Sequence, residues 1–186
     1  LGVNPEAPTL LVTGGSLGAL HVNESMTGAA DALPEGAQVV HLTGRGKDEP
    51  VRAAVEAAGC SDRWHVIDYL TTMEDALAVA DLVVCRSGAG TVAEMEALGL
   101  PCIYVPLPIG NGEQRLNAAD HVAAGGAQLI DDKDFTADFV RRNVFPLLGS
   151  TRLADMAAAS QSLGRAGAAR ALADLALEQV KESGRE

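Results

Sequence analysis

The 186-residue sequence has little positive charge, few aromatic side chains and few cysteines. It contains 14 lysines and arginines against 25 aspartates and glutamates, so its formal net charge is −11 at pH 7. A chain this acidic lacks the bulk charge that attracts a nucleic-acid backbone or an anionic lipid surface. We therefore expect no nucleic-acid partner and no direct insertion of this chain into a membrane.

The three cysteines, Cys60, Cys85 and Cys102, are an odd number at unrelated spacings. This usage is typical of reduced thiols in the cytoplasm rather than of a disulfide framework. No apolar run approaches the roughly 20 residues that a membrane-spanning helix needs. Residues 1–8 lack the charged and apolar regions of a signal peptide and resemble a linker, so we expect the chain to be cut from a longer protein.

Short apolar segments alternate with longer Ala-rich segments over the first 130 residues, and hydrophobic residues make up 47% of the chain. The alternation predicts an α/β fold of the Rossmann-like, doubly wound type, with about six parallel strands covered by helices on both faces. The predicted strands are residues 9–12, 38–42, 64–67, 81–84, 102–105 and 128–130. The predicted helices are residues 19–33, 51–58, 73–80, 91–98, 114–124, 138–148, 151–163 and 166–181. We predict one domain over residues 1–165 and a C-terminal helix or tail over residues 166–186.

Two segments share a pattern of apolar strand, Gly/Ser-rich turn and helix, at residues 10–18 and 82–90. In a doubly wound sheet such turns lie at the carboxyl edge, where ligands bind. A helix N-terminus favours an anion, and two such turns on adjacent strands would suit a diphosphate. The alternative is that each turn is only a tight connection between strand and helix, and the residues alone leave both open.

Familiar catalytic and nucleotide motifs do not fit these turns. Residues 14–18 match the G-x-S-x-G nucleophile elbow of hydrolases, but only one predicted strand precedes Ser16, and the candidate histidine, His121, sits in an Ala-rich helix. The spacing is also wrong for a G-x-G-x-x-G dinucleotide fingerprint, and no Walker A sequence is present. A phosphatase loop starting at Cys85 would need an arginine where Thr91 stands.

Thr91 and Glu94 have two interpretations. They form the spacing of a capping box, which the residues alone favour, or Glu94 accepts hydrogen bonds from the hydroxyls of a ribose. Glu113, Gln114 and Asn117 gather at the start of a later helix, where side-chain amides could contact sugar hydroxyls.

Other polar clusters do not suggest a metal site. The acidic residues 131–134 follow a strand and are expected to form a solvated turn. His21, His41 and His65 lack the spacing of zinc ligands. We therefore expect neither a metal nor an organic cofactor.

Taken together, residues 13–19, 84–94, 99–101 and 104–118 closely resemble the MurG family, the bacterial glycosyltransferases that add N-acetylglucosamine (GlcNAc) during peptidoglycan synthesis. The resemblance runs from about residue 8 to the end of the chain. It implies the C-terminal, UDP-GlcNAc-binding half of a two-domain GT-B enzyme, with residues 1–165 as the donor domain and the acceptor domain absent.

The resemblance also implies roles for individual residues. It places Gly15 and Ser16 at the diphosphate, and it makes Glu94 a ribose ligand in preference to a cap. The base site is implied for Tyr69, Leu70 and Met73, and the sugar site for Gln114 with Glu113. The segment that wraps the diphosphate and ribose comprises Ala89, Gly90, Thr91, Val92, Ala93 and Glu94.

For the full protein, the resemblance implies an inverting transfer of GlcNAc from UDP-GlcNAc to undecaprenyl-pyrophosphoryl-MurNAc-pentapeptide, the lipid-linked acceptor. The acceptor and the general base would belong to the missing domain, and this half alone is expected to be inactive. The full protein would be cytoplasmic and peripheral on the cell membrane. Two alternatives stay open: a separate donor subunit that pairs with an acceptor subunit, and a non-catalytic domain that binds a nucleotide sugar.

Overall fold

The computed structural model describes residues 1–15, 18–109 and 111–164, and it confirms the predicted doubly wound α/β fold. A single parallel sheet of six strands has the order β3-β2-β1-β4-β5-β6. In this order the chain reverses direction across the sheet between β1 and β4, which is the position where ligands bind in such folds. The strands are β1 Thr9–Thr13, β2 Gln38–Leu42, β3 Trp64–Ile67, β4 Leu82–Cys85, β5 Cys102–Tyr104 and β6 Ala127–Leu129.

Eight α-helices and several shorter helical turns connect or follow the strands in the described part of the chain. The α-helices are α1 Leu20–Thr27, α2 Asp48–Ala57, α3 Met73–Ala78, α4 Ala89–Leu98, α5 Glu113–Asn117, α6 Ala119–Ala123, α7 Ala137–Phe139 and α8 Thr151–Leu163. None of the described helices has the length and apolar composition of a membrane-spanning helix.

The sheet separates two hydrophobic clusters, because successive side chains of a strand point to opposite faces. In β1, Leu10 and Val12 belong to the cluster with α1 and α2, whereas Leu11 belongs to the cluster with α3 and α4. All three side chains are fully buried. Burial on both faces explains why the strands are continuous apolar runs rather than alternating ones.

The structure shortens or divides three predicted helices, whereas the helices predicted over 51–58, 73–80 and 91–98 differ only by shifts at their ends. The helix predicted over 19–33 ends at Thr27, whose hydroxyl donates to the Asn23 carbonyl, and a 3-10 turn follows at Ala30–Ala32. The helix predicted over 114–124 is divided at Ala118 into α5 and α6. The segment predicted as one helix over 138–148 is instead α7, a π-helical turn and a 3-10 turn. The 3-10 turn begins at Phe145 and includes Pro146, which has no N–H to continue the helical hydrogen bonds.

The helix predicted over 166–181 and the tail 166–186 lie outside the described residues, so the domain boundary at residue 165 stays a prediction. The last described helix, α8, agrees with its prediction at both ends. Its first turn is capped by Ser150, whose hydroxyl accepts from the Leu153 N–H at 3.2 Å.

A buried polar network joins α1 to β2 and β3. The indole N–H of Trp64 donates to Nδ1 of His41 at 3.3 Å, and Nε2 of His41 lies 3.0 Å from Oδ1 of Asn23. Because an indole only donates, Nδ1 must accept, and Nε2 must carry the proton that it donates to Asn23. The Asn23 amide in turn donates to the Thr43 carbonyl at 3.0 Å. With a neutral imidazole, every polar group of this network has a hydrogen-bond partner.

The neutrality of His41 predicts a stability that depends on pH. Burial lowers the pKa of His41 to about 3, whereas an unfolded histidine titrates near pH 6.5. Below about pH 6.5, His41 is protonated in the unfolded chain but stays neutral in the folded chain. The free energy of unfolding therefore falls as the pH falls towards 3. At about 1.4 kcal/mol per pH unit, the contribution of His41 to the loss between pH 7 and 5 is about 2 kcal/mol.

Urea unfolding of the wild type and His41→Gln at pH 7 and pH 5 measures this contribution. We expect the variant to lose less stability over the interval, because it has no imidazole to protonate. His121, whose pKa burial also lowers, is present in both proteins, so the difference between them isolates His41. Equal losses in the two proteins would contradict this account.

Candidate functional site

The carboxyl ends of the strands form one row across the sheet. Thr13 at the end of β1 pairs with Leu42 of β2 and with Cys85 of β4, and Cys85 pairs with Tyr104 of β5. The turns that leave β1 and β4 therefore start side by side at the reversal point of the strand order. Between them and the turns after β2 and β3 lies a cavity of about 510 Å³.

The first Gly-rich turn is held close to the turn that follows β2. The Gly18 N–H donates to the Gly15 carbonyl at 2.9 Å, and Gly18 has a positive φ of 67°. A Cβ at Gly18 would lie 2.0 Å from the Thr43 carbonyl oxygen, a distance that no side chain can occupy. Glycine is therefore required here both by conformation and by close approach.

The second Gly-rich turn directs the N-terminus of α4 towards the cavity. Gly88 is the residue before the helix, and its carbonyl accepts the first helical hydrogen bond, from the Val92 N–H at 2.9 Å. The N–H groups of Ala89, Gly90 and Thr91 precede this bond, so the helix gives them no acceptor. Together with the helix dipole, they make the start of α4 a favourable place for an anion.

The capping-box interpretation of Thr91 and Glu94 is wrong. The residue before the helix is Gly88, and no side chain caps this end of α4. Thr91 is the third residue of the helix, and Glu94 is the sixth, so neither has the position that a capping box requires. Both residues instead line the cavity, and Glu94 is exposed to solvent.

Arg86 lies between the second turn and the loop that follows β5. Its guanidinium donates to the carbonyls of Val105 and Pro106 at 3.0 and 3.1 Å, and it pairs with Asp132. This pair corrects the expectation that residues 131–134 form only a solvated turn, because the Asp132 side chain is largely buried against Arg86. Arg86 thus places a positive charge in the cavity wall, and the Asp132 carboxylate balances that charge.

The loop after β3 forms another wall of the cavity. Tyr69, Leu70 and Met73 all line the cavity, and Tyr69 keeps 40% of its surface exposed. The carboxylate of Asp68 accepts from the Tyr69 N–H at 2.7 Å and so stabilises the turn between β3 and α3. This wall is mainly apolar, as a surface that contacts a planar ring requires.

Gln114 also lines the cavity, from the first turn of α5. Its side-chain carbonyl accepts from the Leu107 N–H at 2.9 Å, which leaves the side-chain NH₂ to donate to another group. Glu113 is exposed and does not line the cavity. Asn117 donates to the Ser87 carbonyl at 3.1 Å, so it connects α5 to the second Gly-rich turn.

The structure gathers part of the predicted site around one cavity. Of the predicted residues, Ser16 lies outside the described part of the chain. The residues that do not line the cavity are Ala89, Gly90, Val92, Ala93 and Glu113. Those that do line it are Gly15, Tyr69, Leu70, Met73, Thr91, Glu94 and Gln114.

Among the lining residues outside the predicted set are Gly44, Asp68 and Arg86. A signal for Gly44 was available, because Thr-Gly-Arg-Gly at residues 43–46 is a third Gly-rich turn directly after a predicted strand. Asp68 and Arg86 also follow strands directly, and every such position reaches the carboxyl edge of a parallel sheet.

His121 takes no part in this site. It is fully buried, with Nδ1 2.9 Å from the Tyr104 hydroxyl and Nε2 2.7 Å from the Ser160 hydroxyl. These contacts join β5 to α6 and α8, and they agree with the rejection of a hydrolase triad. Within residues 1–15, 18–109 and 111–164, no group of three histidine, cysteine or acidic side chains is placed to hold a metal ion.

Comparison of the sequence with protein families gives a match to the glycosyltransferase family 28 C-terminal domain over residues 9–172. A UDP-N-acetylglucosamine–N-acetylmuramyl-(pentapeptide) pyrophosphoryl-undecaprenol N-acetylglucosamine transferase of Paenarthrobacter aurescens is 46% identical over 182 residues, which cover 97% of this chain and 48% of that protein. The transferase of the same name from Bifidobacterium adolescentis is 50% identical over 161 residues, or 80% of this chain and 41% of that protein. The chain spans about half the length of the curated relatives it matches.

Solved structures agree with this match. The crystal structure of MurG from Acinetobacter baumannii superposes with a TM-score of 0.82 at 28% identity, over 91% of this chain and 49% of that chain. A UDP-GlcNAc 2-epimerase from Neisseria meningitidis, bound to UDP-GlcNAc, has a TM-score of 0.63 at 15% identity, over 95% of this chain and 46% of that chain. The second likeness shows a shared fold alone.

Proposed function

The chain belongs to the family of glycosyltransferase family 28 C-terminal domains, and on that basis we propose that it is the half that binds UDP-GlcNAc. In the full protein, this half would present the donor for transfer of GlcNAc to undecaprenyl-pyrophosphoryl-MurNAc-pentapeptide. The relatives from Paenarthrobacter and Bifidobacterium carry the name of this transferase, and MurG of Acinetobacter shares the fold at a TM-score of 0.82.

One observation carries the proposal: the N-terminus of α4 and the first Gly-rich turn meet at a single cavity. A nucleotide diphosphate needs hydrogen-bond donors for its phosphates and an apolar wall for its base. The amides of Ala89, Gly90 and Thr91 have no acceptor within α4, whose start reaches the cavity through Gly88 and Thr91. Tyr69 and Met73 line the same cavity, so groups suited to both requirements come together at one place.

Within this cavity we assign the nucleotide as follows. The base lies against Tyr69, Leu70 and Met73, the ribose hydroxyls donate to the Glu94 carboxylate, and the diphosphate faces the start of α4. Glu94 is an exposed carboxylate on the cavity, which is the acceptor that two neighbouring hydroxyls can share. Ser16 belongs to the diphosphate site in this assignment.

The sugar would lie towards Gln114. Because its carbonyl is bound by the Leu107 N–H, its NH₂ group is the part that would donate to an oxygen of the GlcNAc. Glu113 stands beside it on α5 and is exposed, so it would contact the sugar only from the rim of the cavity.

The chemistry proposed for the full protein is an inverting displacement. A hydroxyl of the lipid-linked acceptor attacks the anomeric carbon and gives its proton to a general base. The bond from that carbon to the diphosphate oxygen breaks, and UDP leaves. Negative charge grows on the leaving diphosphate, and the amides and dipole of α4 stabilise it without rearrangement. The general base and the acceptor site belong to the other half of the protein. We expect the full protein at the cytoplasmic face of the membrane.

Calorimetry with UDP, UDP-GlcNAc and ADP tests the donor site. We expect UDP and UDP-GlcNAc to bind and ADP to bind at least tenfold more weakly, because the proposal assigns Tyr69, Leu70 and Met73 to a uracil base. Equal affinity for UDP and ADP, or no heat with any of the three, would contradict the proposal.

Glu94→Ala should weaken UDP binding by about 10- to 150-fold, which corresponds to the 1.5–3 kcal/mol typical of hydrogen bonds to a charged group. The same change should have little effect on 2′,3′-dideoxy-UDP, which lacks the hydroxyls that Glu94 accepts from. Glu56→Ala removes an exposed carboxylate of α2 and serves as the matched control. If Glu94→Ala and Glu56→Ala bind UDP equally well, Glu94 is not the ribose ligand.

A further inference from the structure

Arg45 lies over the ring of Tyr69, with its guanidinium carbon 3.9 Å from the ring centroid. This distance is well within the range of a cation–π interaction. Tyr69 lines the cavity, whereas Arg45, in the turn after β2, is exposed and does not line it. No sequence motif pointed to Arg45, and the nucleotide assignment above does not use it.

The turn that carries Arg45 is firmly held. Gly44 and Gly46, on either side of it, have positive φ angles of 89° and 70°, and the Lys47 N–H closes the turn on the Gly44 carbonyl at 3.1 Å. At the base of the turn, the buried Thr43 donates its N–H to the Ile67 carbonyl at 3.0 Å. The direction in which the Arg45 side chain leaves the backbone is therefore set by the fold.

The charge of Arg45 is directed to the ring rather than to a carboxylate. None of the five ion pairs found in the described part of the chain includes Arg45. An exposed arginine in a chain of net charge −11 has many carboxylates available, so its place over an aromatic ring is a specific contact. Arginine suits such a contact because its guanidinium is planar and weakly hydrated.

We propose that Arg45 is a positioning residue that fixes the ring of Tyr69 as the outer wall of the base site, and so contributes to nucleoside recognition through Tyr69. This inference depends on the proposed function, because it assigns the Tyr69 wall to the base. Tyr69 is 40% exposed, so the packing of the fold covers its ring only in part. A guanidinium stacked on one face restricts the motion of the ring and leaves the rest of it to the cavity.

A double-mutant cycle separates this role from a direct contact with phosphate. Calorimetry compares the wild type with Arg45→Gln, Tyr69→Ala and the double variant for binding of uridine and of UDP. The affinity of the weaker ligand is measured from its competition with the stronger one. Arg45→Gln should weaken both ligands by the same factor, about two- to fivefold, as expected for an exposed cation–π contact. In the Tyr69→Ala background the same substitution should have no effect.

Arg152→Gln, which removes an exposed arginine of α8, controls for the change in net charge and should leave both affinities unchanged. A loss for UDP but not uridine would overturn the inference in favour of a phosphate contact. So would a loss that persists without Tyr69, or unchanged binding in Arg45→Gln. If the wild type binds neither ligand, the proposed function itself fails. If the wild type binds both ligands and Arg45→Gln binds them equally well, only the role of Arg45 fails.

Discussion

The close approach of Gly18 to the Thr43 carbonyl is the contact on which the geometry of the site depends. Because Gly18 has no side chain, the turn after β1 packs directly against the turn after β2. Asn23, in the first turn of α1, reinforces the same junction by donating to the Thr43 carbonyl. Thr43 is in turn bonded to Ile67, immediately before the loop of Tyr69. A single backbone junction thus sets the relative positions of three of the turns that border the cavity.

The proposed anion site attracts a diphosphate only at short range, whereas the net charge of the whole chain repels it. With a net charge of −11, the protein repels a diphosphate at long range, and Arg86 near the cavity is balanced by Asp132. What remains is the set of backbone amides at the start of α4 and the dipole of that helix. Such groups act over short distances, so they select a ligand that fits the cavity rather than any polyanion.

The strands and the Gly-rich turns at the carboxyl edge of the sheet were largely predictable from the sequence, because buried parallel strands and the turns after them leave strong local patterns. Less predictable were features that depend on contacts between distant segments. Arg86 and Asp132 are 46 residues apart, and only the fold shows that they meet. The start of α4 was misplaced by two residues, because Thr91 and Glu94 have the spacing of a cap while Gly88 provides the actual boundary. The pairing of Arg45 with Tyr69 left no local signal at all.

The most direct test of the central claim is an NMR titration of the backbone amides with UDP. If the diphosphate binds at the start of α4, the largest shifts should fall on Ala89, Gly90 and Thr91, with further shifts at Gly15 and in the loop of Tyr69. Amides at the opposite, amino edge of the sheet should not move. Saturable binding with the largest shifts away from α4, or no shift at α4, would contradict the account.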